Sequence, residues 1–397
     1  MRLRKNVKSL TVAEKQAFIN AVLALKKKPS VLHPQDNTRS RYDDYPEVHM
    51  NAMMAQQGPP NDPNFTPGWA HYGPAFFPWH RVLILEFEND LAAIDNTVTL
   101  PYWDWTDPVS SPLTPDFLGS NGNPNQNRKV TDGPFTFDGP NHWTLNVTDN
   151  QGDPNYLQRD FAEAQNQAIA LPSAAQVVSV SGTTPYEKPP YKDGDGSYRA
   201  RMEYELHNLV HRWVGGTMLN MTSPNDPVFF MHHCNIDRLW WVWEKLHAGD
   251  SPFLPLNGAT LGHNLDDEMI FSMGGIAPFA QNYKPSEVTD NLALNYTYQA
   301  ATVPTVNAPM SMVTILYGII NDAPGAWMDA QGHIHHGGGG PGDPVWSKLS
   351  PGVQESLAGR AIIELAALVP NRALREQVVK AAAPLLGKSV AAQTQSS

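Results

Sequence analysis

The chain has 397 residues, enough for one large domain or two smaller ones, and its 41% hydrophobic content is ample for a buried core. A net charge of −11 with no basic run excludes a phosphate-backbone partner, and no apolar stretch is long enough to span a bilayer. One cysteine, Cys234, rules out an intrachain disulfide, and 35 Pro with 29 Gly point to long ordered loops between helices.

The N-terminus is basic, but no apolar segment follows it. No signal peptide is read there, so a cytoplasmic location is expected, with export alongside a partner left open. Residues 9–28 predict a first helix: Phe18, Val22 and Leu25 recur at helical spacing, and Ser9 or Thr11 supplies a cap. A second helix is expected from Pro46, carrying Val48, His49, Ala52 and Met53, and ended by Pro59-Pro60. A loop rich in Gly, Pro and Asn then runs to about Pro78. From His80, the residues Val82, Leu83, Leu85, Phe87 and Leu91 make a helix apolar nearly all round, which places it at the centre. Residues 106–155 read as loop, 156–169 as a short helix and 182–197 as loop again. The helix at about 199–213 carries His207 and His211 and ends at Gly215-Gly216. Asp226-Pro227 reads as cap and first position of a helix to His247, which carries His232 and His233. Loops dominate 249–295 before Tyr296-Thr297-Tyr298. Beyond them, 299–312 suits a linker, 313–320 a β-like run, and 351–386 two helices rich in Ala and Leu.

Residues four apart on a helix lie about 6 Å along its axis and share a face. His207 and His211 therefore present two imidazoles to one ion, and His233 on the next helix offers a third. The competing reading is a pair of capped or solvent-facing histidines, which an isolated pair at this spacing usually is. A third histidine behind the apolar Phe229-Phe230-Met231 favours the metal. His49, His71 and His80 each read alone as loop or cap residues, and gain weight only beside the second set. All-imidazole ligation suits copper, zinc or nickel. Neither cluster shows the Glu-x-x-His pattern of di-iron bundles, and a three-histidine zinc site stays open. Two sets of three, on helices able to pack face to face, suit a copper pair that handles dioxygen.

The motifs resemble the tyrosinase family of type 3 dicopper proteins, its bacterial members most closely. The resemblance rests on His71-Tyr72-Gly73-Pro74-Ala75-Phe76-Phe77-Pro78-Trp79-His80-Arg81, on His207-Asn208-Leu209-Val210-His211-Arg212-Trp213-Val214-Gly215-Gly216, and on Ser223-Pro224-Asn225-Asp226-Pro227-Val228-Phe229-Phe230-Met231-His232-His233. Asn235-Ile236-Asp237-Arg238, Gly262-His263-Asn264-Leu265 and Tyr296-Thr297-Tyr298 extend it, so that it covers about residues 1–298. It implies a mainly α fold: a four-helix bundle core holding two copper ions, with long loops and a C-terminal extension at 299–397. It assigns His49, His71 and His80 to the first copper, with His33 as the only nearby rival to His49, and His207, His211 and His233 to the second. His232 takes the non-ligand place in the His-His pair. Trp69 stands where many members carry a cysteine bonded to the second ligand, so no thioether is expected, and Cys234 reads as a small buried thiol.

The resemblance implies oxidation of small phenols with O2 as co-substrate: hydroxylation of monophenols and oxidation of o-diphenols to o-quinones. A Glu and an Asn hold a water for deprotonation in the family; Asn208 matches the Asn, and Glu203, one helical turn before His207, is the expected Glu, because Arg199 stands at the more usual position. Phe229 aligns with the aromatic packed on the substrate ring, and Arg212 and Met221 fall at the entrance. The alternatives are a catechol or o-aminophenol oxidase with weak monophenolase activity, a hemocyanin-like oxygen carrier, and more distantly a zinc hydrolase. Residues 299–397 read as a lid, an oligomerisation element or a plug, with Tyr317 or Trp327 as plug side chains. The histidines 333, 335 and 336 and the methionines 310, 312 and 328 offer a copper-delivery role against the plainer reading of an exposed His-Gly loop. A homo-oligomer and a copper-delivery partner remain candidates.

Overall fold

The helix starts are set by reciprocal caps. In the computed structural model, which describes residues 1–59, 62–107, 109–162, 169–192, 196–247, 249–273 and 276–299 and the backbone of 327–328 and 334–335, Thr11 and Glu14 cap each other at the start of α1 (Val12–Leu25). Ser40 and Asp43 form a second such box and start α2 (Arg41–Met54). That helix begins before Pro46, where a start was expected. A proline favours a first turn but does not require one, and the box upstream satisfies the orphan N–H groups. α3 (Phe76–Ala92) also begins earlier than His80, because Pro78 sits in the first turn, where its missing N–H leaves nothing unpaired.

The chain divides into two units. The first comprises Met1–Leu171, Thr184–Trp241 and Ser251–Gln299; the second comprises Pro172–Thr183, Val242–Asp250 and Ala300–Ser397. In the first unit, β1 (Arg2–Arg4) pairs in parallel with the strand Tyr296–Tyr298, Arg2 opposite Tyr296. β2 (Gly122–Asn123) and β3 (Lys129–Val130) form a short antiparallel ladder. The helix expected at 156–169 is not formed at its described residues 156–162. Leu157 O accepts the Val130 N–H and Arg159 donates to Arg128 O, so the segment runs extended beside β3. Ser197 caps α5 (Tyr198–Arg201), which passes through a π-helical turn, Met202–His207, into α6 (Asn208–Val214). Gly215, at φ 66°, ends the helix.

α7 (Val228–Leu246) supplies the central wall. Asp226 accepts the Val228 N–H at 3.1 Å and is held by the buried Arg159 through Nε (2.7 Å) and Nη2 (2.8 Å). Phe230 of α7 stacks on Phe87 of α3 with centroids 3.6 Å apart, and the rings of Tyr42 and Tyr45 from α2 meet both edge-on. Each fully buried ring of this kind contributes about 1.5–3 kcal/mol of transfer free energy. α8 (Pro285–Val288) and β4 (Tyr296–Tyr298) complete the unit. Asp237 of α7 gathers its ends: Arg4 of β1, Arg81 of α3 and the hydroxyls of Tyr296 and Tyr298 all converge on its carboxylate.

In the second unit, α4 (Ala174–Ser181), which sequence periodicity did not single out, receives bonds from the end of α7. Trp243 Nε1 donates to Thr183 O and His247 Nε2 to Ser181 O, each at 2.9 Å. β5 (Trp327–Met328) and β6 (Ile334–His335) pair antiparallel. The readings for 313–320, 351–386, Tyr317, the histidines 333, 335 and 336, and the side chains of Trp327 and Met328 lie outside the described residues. Among the described residues, no helix is long and apolar enough to cross a membrane.

Candidate metal centre

Two groups of histidines meet where α2, α3, α6 and α7 converge. His49, His71 and His80 each place a ring nitrogen within 4.8 Å of the others, and so do His207, His211, His232 and His233. The groups abut: the rings of His80 and His233 stack with centroids 4.2 Å apart, and those of His71 and His207 lie 5.6 Å apart. His33 stays outside, with its Nε2 2.9 Å from Glu47.

Most of these imidazoles are held from behind by an acceptor that only an Nδ1–H can satisfy. His49 donates to Met221 O (2.6 Å), His80 to Phe76 O (2.8 Å) and His211 to Met218 O (2.7 Å). His207 donates to Asn208 Oδ1 (2.8 Å) and His71 to Glu203 Oε1 (3.2 Å). This fixes the tautomer and leaves each Nε2 lone pair pointing inward. The consequence is a set of frustrated contacts. Nε2 of His49 and Nε2 of His71 are 3.1 Å apart, and those of His207 and His233 are 3.3 Å apart, with no proton left for the former pair to share. Nε2 of His80 and of His211 is buried with no hydrogen-bond partner. Facing lone pairs in a buried site repel, and a shared cation relieves this. Two nitrogens each about 2.0–2.1 Å from one ion at a tetrahedral angle stand about 3.3 Å apart, which matches both spacings. The residues therefore fit a metal pair.

Electrostatics points the same way. Burial, reinforced by neighbouring imidazoles, holds His49, His80, His207 and His233 well below the ordinary histidine range, and burial holds His211 at about 4. Neutral imidazoles are the ligand form. His232 differs from the rest. Trp105 Nε1 donates to its Nδ1 at 3.0 Å, so a neutral His232 carries its proton on Nε2 and has no lone pair to offer inward.

The π-helical turn decides where Glu203 points. A wider turn changes the angular offset of residues four apart, so Glu203 faces His71 rather than lying under His207. It is fully buried and both its oxygens are engaged: Oε1 by His71 and the Tyr72 N–H (2.9 Å), Oε2 by Arg199 (2.8 Å). Burial alone would push its carboxyl up, but the hydrogen bond from His71 and the Arg199 charge outweigh it and hold it below the usual range. Arg199 is clamped in turn by Glu187. Phe229 is fully buried against imidazoles of both groups, with its ring centroid 4.2 Å from His233 and 5.1 Å from His49. Of the seven histidines in the two groups, only His211 is not fully buried. Asn208 and Met221 are half-buried near it and Arg212 is exposed, so the α6 side is the least buried edge of the site. Cys234 is buried with its Sγ 3.6 Å from Leu100 O, and burial pushes its thiol up. Trp69 donates its backbone N–H to Ala52 O.

The loop carrying His71 is pinned by a residue that matched a motif without acquiring a role. His263 Nε2 donates to Gly68 O (3.0 Å), its Nδ1 accepts the Ala75 N–H (3.1 Å), and Tyr186 Oη donates to Pro74 O (2.6 Å). Trp105, which holds His232 from 127 residues away, and Glu187, which clamps Arg199, carry no local sequence signal.

Residues 39–246 match the model of the common central domain of tyrosinase. The chain is 38% identical over 277 residues to a tyrosinase of Streptomyces glaucescens, an alignment covering 68% of this chain and 92% of that one, and equally to a tyrosinase of Streptomyces antibioticus over the same shares. Among solved structures, a polyphenol oxidase variant from Thermothelomyces thermophila superposes with a TM-score of 0.55 at 24% identity, covering 75% of this chain and 89% of that one; this likeness bears on the fold. With a copper-pair family matched through its central domain and two histidine groups fitted to a metal pair, the chain belongs to the tyrosinase family and is a tyrosinase-type copper oxidase with a binuclear copper cofactor.

Proposed function

We propose that the chain hydroxylates monophenols and oxidises o-diphenols to o-quinones at two coppers held by His49, His71 and His80 and by His207, His211 and His233. The observation that carries the ligand assignment is the set of inward Nε2 lone pairs, two of which approach to 3.1 Å with both Nδ1 protons already committed. Copper supplies the electrons that activate dioxygen and a Lewis-acid seat for a phenolate oxygen. The chain's own residues do the rest. The α6 edge, with Asn208, His211, Arg212 and Met221, is where a flat phenol approaches. Phe229, packed on imidazoles of both groups, keeps the rings in register. Asn208 fixes the His207 ring and is the polar group at the open edge, suited to hold the water that takes the phenolic proton. Glu203 orients His71, its oxygens being taken up by that ring, Tyr72 and Arg199. This engagement favours a second reading, a catechol or o-aminophenol oxidase with weak monophenolase activity, because a carboxylate tied to an arginine is a poor proton acceptor.

Oxygen uptake with a monophenol, a catechol and an o-aminophenol in parallel decides between the two. Turnover of all three supports hydroxylation, turnover of the latter two alone supports the second reading, and oxygen binding without product removes both. Residues 1–298 are proposed as the catalytic domain, supported by the pairing of β4 with β1 at its two ends. Truncation after Tyr298 should leave copper loading intact and raise activity if 299–397 form a plug.

A further inference from the structure

One short segment supports a ligand from each half of the centre. His211, of the second group, donates Nδ1–H to Met218 O at 2.7 Å. His49, of the first group, donates to Met221 O at 2.6 Å. These two carbonyls lie three residues apart on the turn that follows α6, and each end of the turn is fixed separately.

The near end of the segment is fixed by close backbone approach. Thr217 donates its N–H to Gln158 O (2.8 Å), and the Gln158 N–H returns a bond to Thr217 Oγ1 (2.9 Å). At Gly216, φ is +52° and a Cβ would stand 2.2 Å from Gln158 O, so only glycine fits. The far end is held by a single carboxylate. Asp149 Oδ2 accepts the Met221 N–H (2.8 Å), and Oδ1 accepts the Thr222 N–H (2.9 Å) and the Thr222 hydroxyl (2.7 Å). Asp149 comes from the loop before α4, 72 residues away in sequence from Met221.

We propose that Asp149 is a positioning residue of the first copper: by holding the N–H groups of Met221 and Thr222 it fixes the peptide whose carbonyl orients His49. This rests on the ligand assignment proposed above. Met218, whose carbonyl orients His211, sits next to Thr217 at the separately fixed near end. Groups that orient a metal ligand typically contribute 10- to 100-fold to metal affinity.

The test uses the full chain, stripped of metal and titrated with Cu(I) against a chromogenic chelator. Asp149→Asn keeps the shape but turns an NH2 toward one of the two backbone donors. It should weaken one of the two coppers by about 10-fold or more and leave the other near the parent value. Thr222→Val, which removes one of the three bonds, should weaken the same copper by a few-fold, and it decides the matter should Asp149→Asn fail to fold. Unchanged affinity in Asp149→Asn, or equal loss at both coppers, overturns the proposal; so does a Thr222→Val chain that binds both coppers as the parent does. If the unaltered chain does not take up two coppers, it is the ligand assignment that fails instead.

Discussion

Replacing Asp237 by Asn should destabilise the protein more than any exposed substitution of the same size. Asp237 is 3% exposed and bears the charge that answers two buried arginines. Arg81 donates through Nε to Oδ1, Arg4 donates through Nη1 to Oδ2 at 3.2 Å, and the Tyr296 hydroxyl donates at 2.7 Å. Asparagine keeps one acceptor oxygen but presents an NH2 to a guanidinium or a hydroxyl. Arg4 retains Glu88 at 2.8 Å, and Arg81 retains the backbone carbonyls of Val288 and Thr289, but the charge shared by the two guanidinium groups at Asp237 is lost. Removing one partner of a buried pair costs about 3–5 kcal/mol. For a chain of this size that corresponds to a fall in Tm of about 6–10 °C, taking about 2 °C per kcal/mol. The assay is thermal unfolding of the metal-free chain, so that copper linkage does not mask the change. The pH dependence carries a second signature. Burial would raise the Asp237 carboxyl, but Arg81 and Arg4 outweigh it and hold it below the usual range. A depressed folded pKa contributes stability that is full above the unfolded value of about 3.9 and is lost as pH falls through the folded one. The variant should therefore lose less stability than the parent below about pH 4. A Tm within about 2 °C of the parent at neutral pH would refute the reasoning.

Two further outcomes follow from the same structure. Gly216→Ala drives a Cβ to within 2.2 Å of Gln158 O at a φ of +52°, so the turn must move; a loss of about 1–3 kcal/mol is expected, read as a Tm fall of roughly 2–6 °C, and an unchanged Tm contradicts it. Burial, against the raising effect of the Gly68 carbonyl, lowers His263 to about 4. An unfolded histidine titrates near about 6.5, so its contribution is full above that pH and falls by up to about 1.4 kcal/mol per pH unit down to the folded value. His263→Gln, which can keep both bonds, should flatten metal-free unfolding between pH 6.5 and 4 by about one proton; identical slopes would count against the role given to that ring.

The second histidine group is readable from the chain because its signal is local. His207 and His211 are four apart on one helix, and His233 follows a run of apolar residues that α7 buries. The first group draws on α2, a loop and α3, and becomes persuasive only beside the second. What escapes is whatever depends on the third dimension. The π-helical turn at Met202–His207 leaves no composition signature, yet it sends Glu203 to His71. β1 is three residues long and makes sense only against β4, whose partner lies nearly 300 residues away in sequence. The helix read at 156–169 was overruled at its described residues by pairing with β3, a tertiary override of local pattern. The helices start at Arg41 and Phe76, ahead of Pro46 and His80, because the Ser40–Asp43 box caps the first and Pro78 is tolerated in the first turn of the second.

In the ligand assignment proposed above, six imidazoles with inward Nε2 atoms hold two coppers while the seventh, His232, is barred by the Trp105 N–H. Native mass spectrometry of the copper-reconstituted chain tests this most directly. The parent and His232→Gln should each carry two coppers, and His80→Gln and His233→Gln one each. A parent that stops at one copper, or a His232→Gln chain that loses one while His233→Gln keeps two, would contradict it.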